Sequence, residues 1–319
     1  MTPDLIWKDF STAMADIVLS QRATKNFSDA QLQRINEQKE LIKEHGWGEE
    51  AGHSAHNMSF IDPRTGGRIF YGFRKLDADE RMTQVILKKN REYQCLIMEA
   101  YEKFEDAIES IYALLGKSDI NFWPLAEYGN KKYNDISGLS FEFYADKAEK
   151  RKGGAISIVK TLFDFFKCDC DLNRITLRQA IIFVEKIRHI TVHRGGIVAD
   201  KSAFFATVAK DCGVYNNGNI DNIFTEYMEF FFGGGKYEKL LNITEERVHK
   251  NIPIRIEVSR FEMLLDSMLL CVFVLCQESQ KYIENLVEKD KKIPFLKRLC
   301  AFIRQACIRV KSFFYSTNS

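Results

Sequence analysis

Leu177-Arg-Gln-Ala-Ile-Ile-Phe-Val-Glu-Lys-Ile-Arg-His-Ile-Thr-Val-His-Arg-Gly-Gly196 reads as one helix with signals at both ends. Thr176 or Asn173 supplies an oxygen for the first free N–H groups, and Gly195-Gly196 stops the helix after His193. At about 100° per residue, Leu177, Ile181 and Val184 share a stripe, and Arg188 falls inside it. An arginine in that place needs an acid, a carbonyl, a partner subunit or a cleft. His189 and His193 lie four residues apart, one turn above the other on another face. His193 belongs to the last turn, where unpaired carbonyls favour an imidazolium.

Working outward, the pattern stays helical over most of the chain. From Asp77 to about Gly116, apolar residues from Met82 through Tyr93, Ile97, Phe104 and Ile108 to Leu115 recur at three- and four-residue steps. Such an element, about 60 Å long at 1.5 Å per residue, organises the domain around it. Further helices are predicted over Phe141–Lys152, Ile156–Phe166 and Ser259–Leu286, and a last one after Pro294 to about Phe314. Upstream, two helices are predicted, Asp4–Leu19 and a second from the cap Ser28 to Gly46. Met58–Ile61 and Arg68–Phe73 flank Asp62-Pro-Arg-Thr-Gly-Gly67, a β-hairpin signature. Residues 213–258 break into short aromatic and β-branched pieces around Asn216-Asn217-Gly218 and Gly233-Gly234-Gly235, a mixed insertion with a short helix near Phe224–Phe231. The division that follows is 1–76, 77–290 with that insertion, and a basic helix at 291–319.

Composition narrows the function classes. The 319 residues are 45% apolar and 28% charged, with 25 Phe, 12 Tyr and 3 Trp, so the chain buries a core and is not disordered. A net charge of +2 excludes a globally basic nucleic-acid coat and leaves local patches open. Eight cysteines form no CxxC pair or Cys/His quartet, and the start MTPDLIWKDF lacks a signal-peptide core. They are expected to be reduced core residues of a cytoplasmic protein. The run Met268–Cys276 has nine residues against the roughly 20 a bilayer span needs. No metal site and no cofactor is expected: His53 and His56 have no third ligand, and Thr65-Gly-Gly67 lacks the Lys-Ser/Thr of a phosphate loop. Glu102, Glu105, Asp106 and Glu109 are read as a solvated face of the long helix.

Arg188-His-Ile-Thr-Val-His193 resembles the R-x4-6-H motif of the HEPN superfamily, with His189 in the place where members carry Asn, Asp or His. By helical layout the resemblance covers residues 77–290; the ending His193-Arg-Gly-Gly differs from the HxY ending of some toxin members. The implied fold is mainly α: a HEPN-like helical bundle, here with an N-terminal helical and β-hairpin extension and the small insertion. The implied activity is metal-independent endoribonuclease cleavage by a toxin or antiphage effector. Members commonly dimerise so that two motifs face one cleft, and an antitoxin or defence partner is implied with them; catalytically silent members are the alternative, binding a protein, a nucleotide or a membrane surface. The residue types suit RNA, which brings its own nucleophile in the 2′-hydroxyl. A histidine removes that proton or protonates the leaving 5′-oxygen, Arg188 binds the phosphate, and His189 positions the phosphate or supplies a second acid or base.

The tail adds a second signal. Residues 291–319 carry seven cations and no acid, while Leu296, Leu299, Ile303, Val310 and Phe314 fall on one helical face. Arg194 and the tail's Lys297, Arg298, Arg304 and Arg309 are therefore candidate RNA contacts. An interfacial membrane helix is the less favoured use of the tail. The expectation is a helix that packs its apolar face and keeps a basic outer face, because an exposed apolar stripe promotes aggregation.

Overall fold

The computed structural model spans residues 1–319 and describes all of them except 130, 132, 137, 173, 248–256 and 317–319; side chains are described outside those positions and outside 49, 125, 133, 134 and 290–316. Helix accounts for 67% of the residues, so the chain is mainly α. In order, the elements are α1 (Pro3–Glu44), β1 (Ser54–Ile61), β2 (Arg68–Leu76), α2 (Ala78–Ser118), α3 (Tyr133–Ile136), α4 (Phe141–Glu149), α5 (Gly154–Phe166), α6 (Leu177–Arg194), α7 (Lys201–Asp211), β3 (Tyr215–Asn216), β4 (Asn219–Ile220), α8 (Asn222–Glu229), β5 (Glu245–Arg247), β6 (Glu257–Ser259) and α9 (Arg260–Ser316). Among the described residues the strands form two-stranded antiparallel pairs, β1 with β2, β3 with β4 and β5 with β6.

Two helix boundaries and the start of the hairpin differ from the sequence pattern, and α7 had no counterpart in it. The break expected before Ser28 does not occur, and α1 runs on through it. Ser28 is 5% exposed, and no glycine or proline interrupts Asp4–Lys43, so nothing local ends the helix. Likewise α9 continues past Pro294 to Ser316, where a fresh start was expected. A proline removes one i→i−4 hydrogen bond, which helix-favouring neighbours on both sides can outweigh. The hairpin starts at Ser54, which places His56 in β1 with its Nε2 3.1 Å from Ser54 Oγ. At its tip, Asp62 accepts hydrogen bonds from Arg64, and Gly66 takes φ +71°.

The chain folds as two compact units, and α1, α2 and α9 contribute to both. One unit comprises Met1–Phe10, Phe104–Cys170 and Leu270–Ser319. Its core is aromatic. Trp123 stacks on Tyr112 at 5.0 Å, meets Tyr144 edge-on at 5.1 Å and donates Nε1–H to Tyr112 O at 3.2 Å. Phe104, Ile108, Ile111, Ile158 and Leu162 are fully buried around it. Burial pushes the Cys168 thiol up to about 11 and Cys276 to about 12, so neither is a thiolate nucleophile at neutral pH. Contrary to the expectation for core residues, Cys95 is exposed; all six described cysteines are free.

Glu109, expected on a solvated face, is half-buried. Burial, followed by the nearby carboxylates of Glu105, Asp106 and Glu149, pushes its carboxyl up to about 7. The fold therefore prefers the neutral acid. Stability from this group is complete below the ordinary value of 4.5 and is lost as pH rises through about 7. Glu109→Gln is expected to raise the thermal midpoint above wild type at pH 8, with the gain vanishing toward pH 4.5. An unchanged difference across that range, by calorimetry, would contradict this.

The second unit comprises Ser11–Lys103 and Asp171–Leu269. Its core gathers Met14, Tyr93, Ile97 and Tyr101 with Ile181, Phe183, Val184 and Phe231 and with Leu241, Ile243 and Phe261. A buried polar cluster ties α1, α2 and β5 together: Glu245 takes Lys89 Nζ at 2.7 Å and Tyr93 Oη at 2.7 Å, and Gln21 Nε2 donates to Tyr93 Oη at 2.7 Å.

Candidate functional site at the end of α6

Local chemistry sets both ends of α6. Thr176 is the cap: its Oγ1 accepts Gln179 N–H at 3.4 Å, and Gln179 Oε1 accepts Thr176 N–H at 2.9 Å. At the other end Gly195 and Gly196 take φ +59° and +77°, and their N–H groups return to Thr191 O and Ile190 O, each at 3.1 Å. A Cβ on Gly196 would lie 2.7 Å from Gln94 Nε2, so only glycine fits there.

Between those ends the helix changes character. Ala180 to Val184 are buried at every position, so this half is enclosed on all sides and has no single stripe. Polar residues emerge from Glu185 onward. His189, Val192, His193 and Arg194 are exposed, and Arg188 is half-buried. The motif is thus carried on the emerging end of a helix whose other half is fixed in the core.

The structure brings two of the predicted residues together, His189 and His193, and turns Arg188 toward α2. The His189 and His193 rings stand 4.5 Å apart between centroids, inclined at 55°. Among the described residues neither imidazole is hydrogen-bonded, which leaves four ring nitrogens for a ligand. The Arg188 guanidinium lies 5.0 Å over the Tyr101 ring of α2. This ring is one intrachain partner for an arginine whose position called for one. Arg194 follows directly in the last turn. Lys297, Arg298, Arg304 and Arg309 fall on α9, and their side chains lie outside the described residues.

The glycine-rich candidates fall on turns. Thr65-Gly-Gly67 is the turn of the hairpin, and Gly233-Gly-Gly235 leads into a short turn at Gly235–Tyr237. Among the described residues no group of three or more His, Cys, Asp or Glu is placed to hold a metal ion, and no helix is long and apolar enough to cross a membrane.

Sequence reasoning missed one feature of this unit. A groove of about 740 Å³ is lined by Lys88 and Arg91 of α2, Gly195 at the end of α6, and Lys236, Tyr237 and Lys239. Its residues come from four separated segments, Gln31 of α1 among them, so no local pattern marks it. The i,i+3 pair Lys88 and Arg91 was the one signal available.

Comparison with protein-family models, with curated proteins and with solved structures found no match for this chain.

Proposed function

We propose that this protein is an endoribonuclease that cleaves RNA by attack of the 2′-hydroxyl, with Arg188, His189 and His193 as its catalytic residues and a toxin or defence role in the cell. The observation that carries the reading is the pair of exposed imidazoles 4.5 Å apart, at the end of a helix that is fixed by its core half and also bears half-buried Arg188. In the proposed reaction the 2′-oxygen bonds to phosphorus as its proton passes to one imidazole. The bond from phosphorus to the 5′-oxygen breaks, and that oxygen takes a proton from an imidazolium. The products are a 2′,3′-cyclic phosphate and a free 5′-hydroxyl. Two histidines one turn apart supply a base and an acid, and a guanidinium stabilises the charge that grows on the phosphate oxygens. A bundle that is mainly α and carries the Arg-x4-His pattern at a helix end accords with the HEPN superfamily. Exposed Val192, between the two histidines, suits a second copy covering this end across a two-fold axis.

Purified protein is expected to cut single-stranded or loop RNA in excess EDTA and to leave 2′,3′-cyclic phosphate ends, read by end-group analysis. Cleavage that requires a divalent cation, or that leaves 3′-hydroxyl ends, would defeat the mechanism.

A further inference from the structure

We infer that the groove between α2 and the segment Lys236–Leu240 is a docking track for the phosphate backbone of single-stranded RNA, holding the strand beside the end of α6. The choice of RNA rests on the function proposed above; the groove itself rests on charge and geometry. Lys88, Arg91, Lys236 and Lys239 line it, and no Asp or Glu does. All four are exposed. Lys88 approaches Glu92 at 3.7 Å, a solvent-screened contact, whereas Arg91, Lys236 and Lys239 have no acidic partner among the described residues. In a chain of net charge +2, whose residues before the tail sum to −5, this concentration of one sign is local. Cations converging on a concave surface produce a positive potential that draws in polyanions.

The walls are held in place before any ligand arrives. From α2, Asn90 Nδ2 and Gln94 Nε2 donate to Leu241 O at 2.7 and 3.0 Å, and Asn90 Oδ1 accepts Ile243 N–H at 2.9 Å. The Leu241 N–H reaches Gly196 O at 2.8 Å, and Val198 N–H reaches Lys239 O at 2.9 Å. These bonds join α2, the strand-like segment that carries Lys239 and the turn that ends α6. A preformed site loses less entropy on binding than one that must assemble. Gly195, on the groove lining, is two residues beyond His193, so a strand in the groove runs to the end that bears the two imidazoles. Tyr237, half-exposed in the lining, offers a ring on which a base can stack whatever its identity.

The test is binding of the full chain to a fluorescein-labelled oligouridylate of roughly twelve nucleotides by anisotropy. His193→Ala serves as the background, so that the probe stays intact. Adding Arg91→Gln, Lys236→Gln and Lys239→Gln removes three phosphate contacts. The affinity is expected to drop on the order of 100-fold at about 0.1 M salt and to converge with the parent near 1 M, with a salt slope shallower by about 2. Replacing the exposed cations Lys117, Lys150 and Lys152 of the other unit by glutamine is expected to leave binding unchanged. Equal loss in that control, or an unchanged slope in the groove variant, would overturn the proposal. So would saturation by inorganic phosphate or uridine monophosphate with the same dependence on the groove cations and no gain from the strand. Cleavage separates the two readings. Groove-dependent binding by a wild-type chain that never cuts RNA upholds the groove and removes the nuclease. Cutting with an unchanged KM in the groove variant removes the groove and keeps the nuclease.

Discussion

Alanine at His193 is expected to slow RNA cleavage by about 10²–10⁴-fold, the range typical for losing one general acid or base. His193 is exposed in the last turn of α6 and has no hydrogen bond among the described residues, so its removal leaves the packing intact. A circular dichroism spectrum and thermal midpoint matching wild type are therefore part of the expected result. Alanine at His189 should also impair the reaction, because the two rings stand 4.5 Å apart and the proposed mechanism divides the proton transfers between them. Arg188 needs a different control. Its guanidinium lies over Tyr101 at 5.0 Å, so Arg188→Ala also removes a cation–π contact worth roughly 0.5–1 kcal/mol. Arg188→Lys keeps a positive charge near the ring but gives up the planar fork that grips a phosphate with two hydrogen bonds. A folded lysine variant that cuts as slowly as the alanine variant assigns Arg188 to the phosphate. Wild-type rates in both the Arg188 and His193 variants would end the nuclease reading.

The largest expected effect on stability belongs to Glu245. Its carboxylate is 6% exposed and faces Lys89, itself 9% exposed at the side chain, at 2.7 Å. The same carboxylate accepts hydrogen bonds from Tyr93 Oη at 2.7 Å and Gln21 Nε2 at 3.2 Å. Glu245→Ala takes this close counter-charge from the buried Lys89 ammonium and leaves it the longer contact to Asp29 at 3.7 Å, while Lys25, 3.8 Å from Glu245, also loses a partner. Breaking a buried pair from one side costs about 3–5 kcal/mol. Urea unfolding of wild type, Glu245→Ala, Lys89→Met and the double variant measures this directly. The double variant is expected to lose less than the sum of the singles, because the closest pair is removed from both sides while Lys25 and Asp29, the more exposed members of the cluster, remain. Strict additivity would show that the two groups do not act as a pair. pH reports the same contact. Burial alone would push the Glu245 carboxyl up, but the hydrogen bonds from Lys89 and Tyr93 outweigh it and hold it below its ordinary 4.5. Its contribution is therefore present above that value and lost as pH falls through the lowered one, so the gap between wild type and Glu245→Gln should close in acid.

Local chemistry made several elements readable from contiguous residues. Thr176 with Gln179, and Gly195 with Gly196, fixed the ends of α6, because capping and left-handed turns depend on neighbours within a few positions. The Pro/Gly run at Asp62–Gly67 set the hairpin in the same way, and the i,i+4 spacing of His189 and His193 already placed the two rings together. Burial is not local, and there the pattern misled. Ser28 looked like a cap but is enclosed within α1, and Leu177, Ile181 and Val184 looked like one apolar stripe although Ala180, Ile182 and Phe183 between them are buried too. Which ring receives Arg188 could not be read from α6, since Tyr101 lies on another helix far away in the chain. The basic groove is the clearest case. Lys88 and Arg91 are ordinary surface cations of α2, and Lys236 and Lys239 are ordinary loop cations, until Asn90 and Gln94 tie Leu241 to the turn after α6. The sequence set the kinds of residue and the ends of the helices; the folded hydrogen-bond network decided which charges meet.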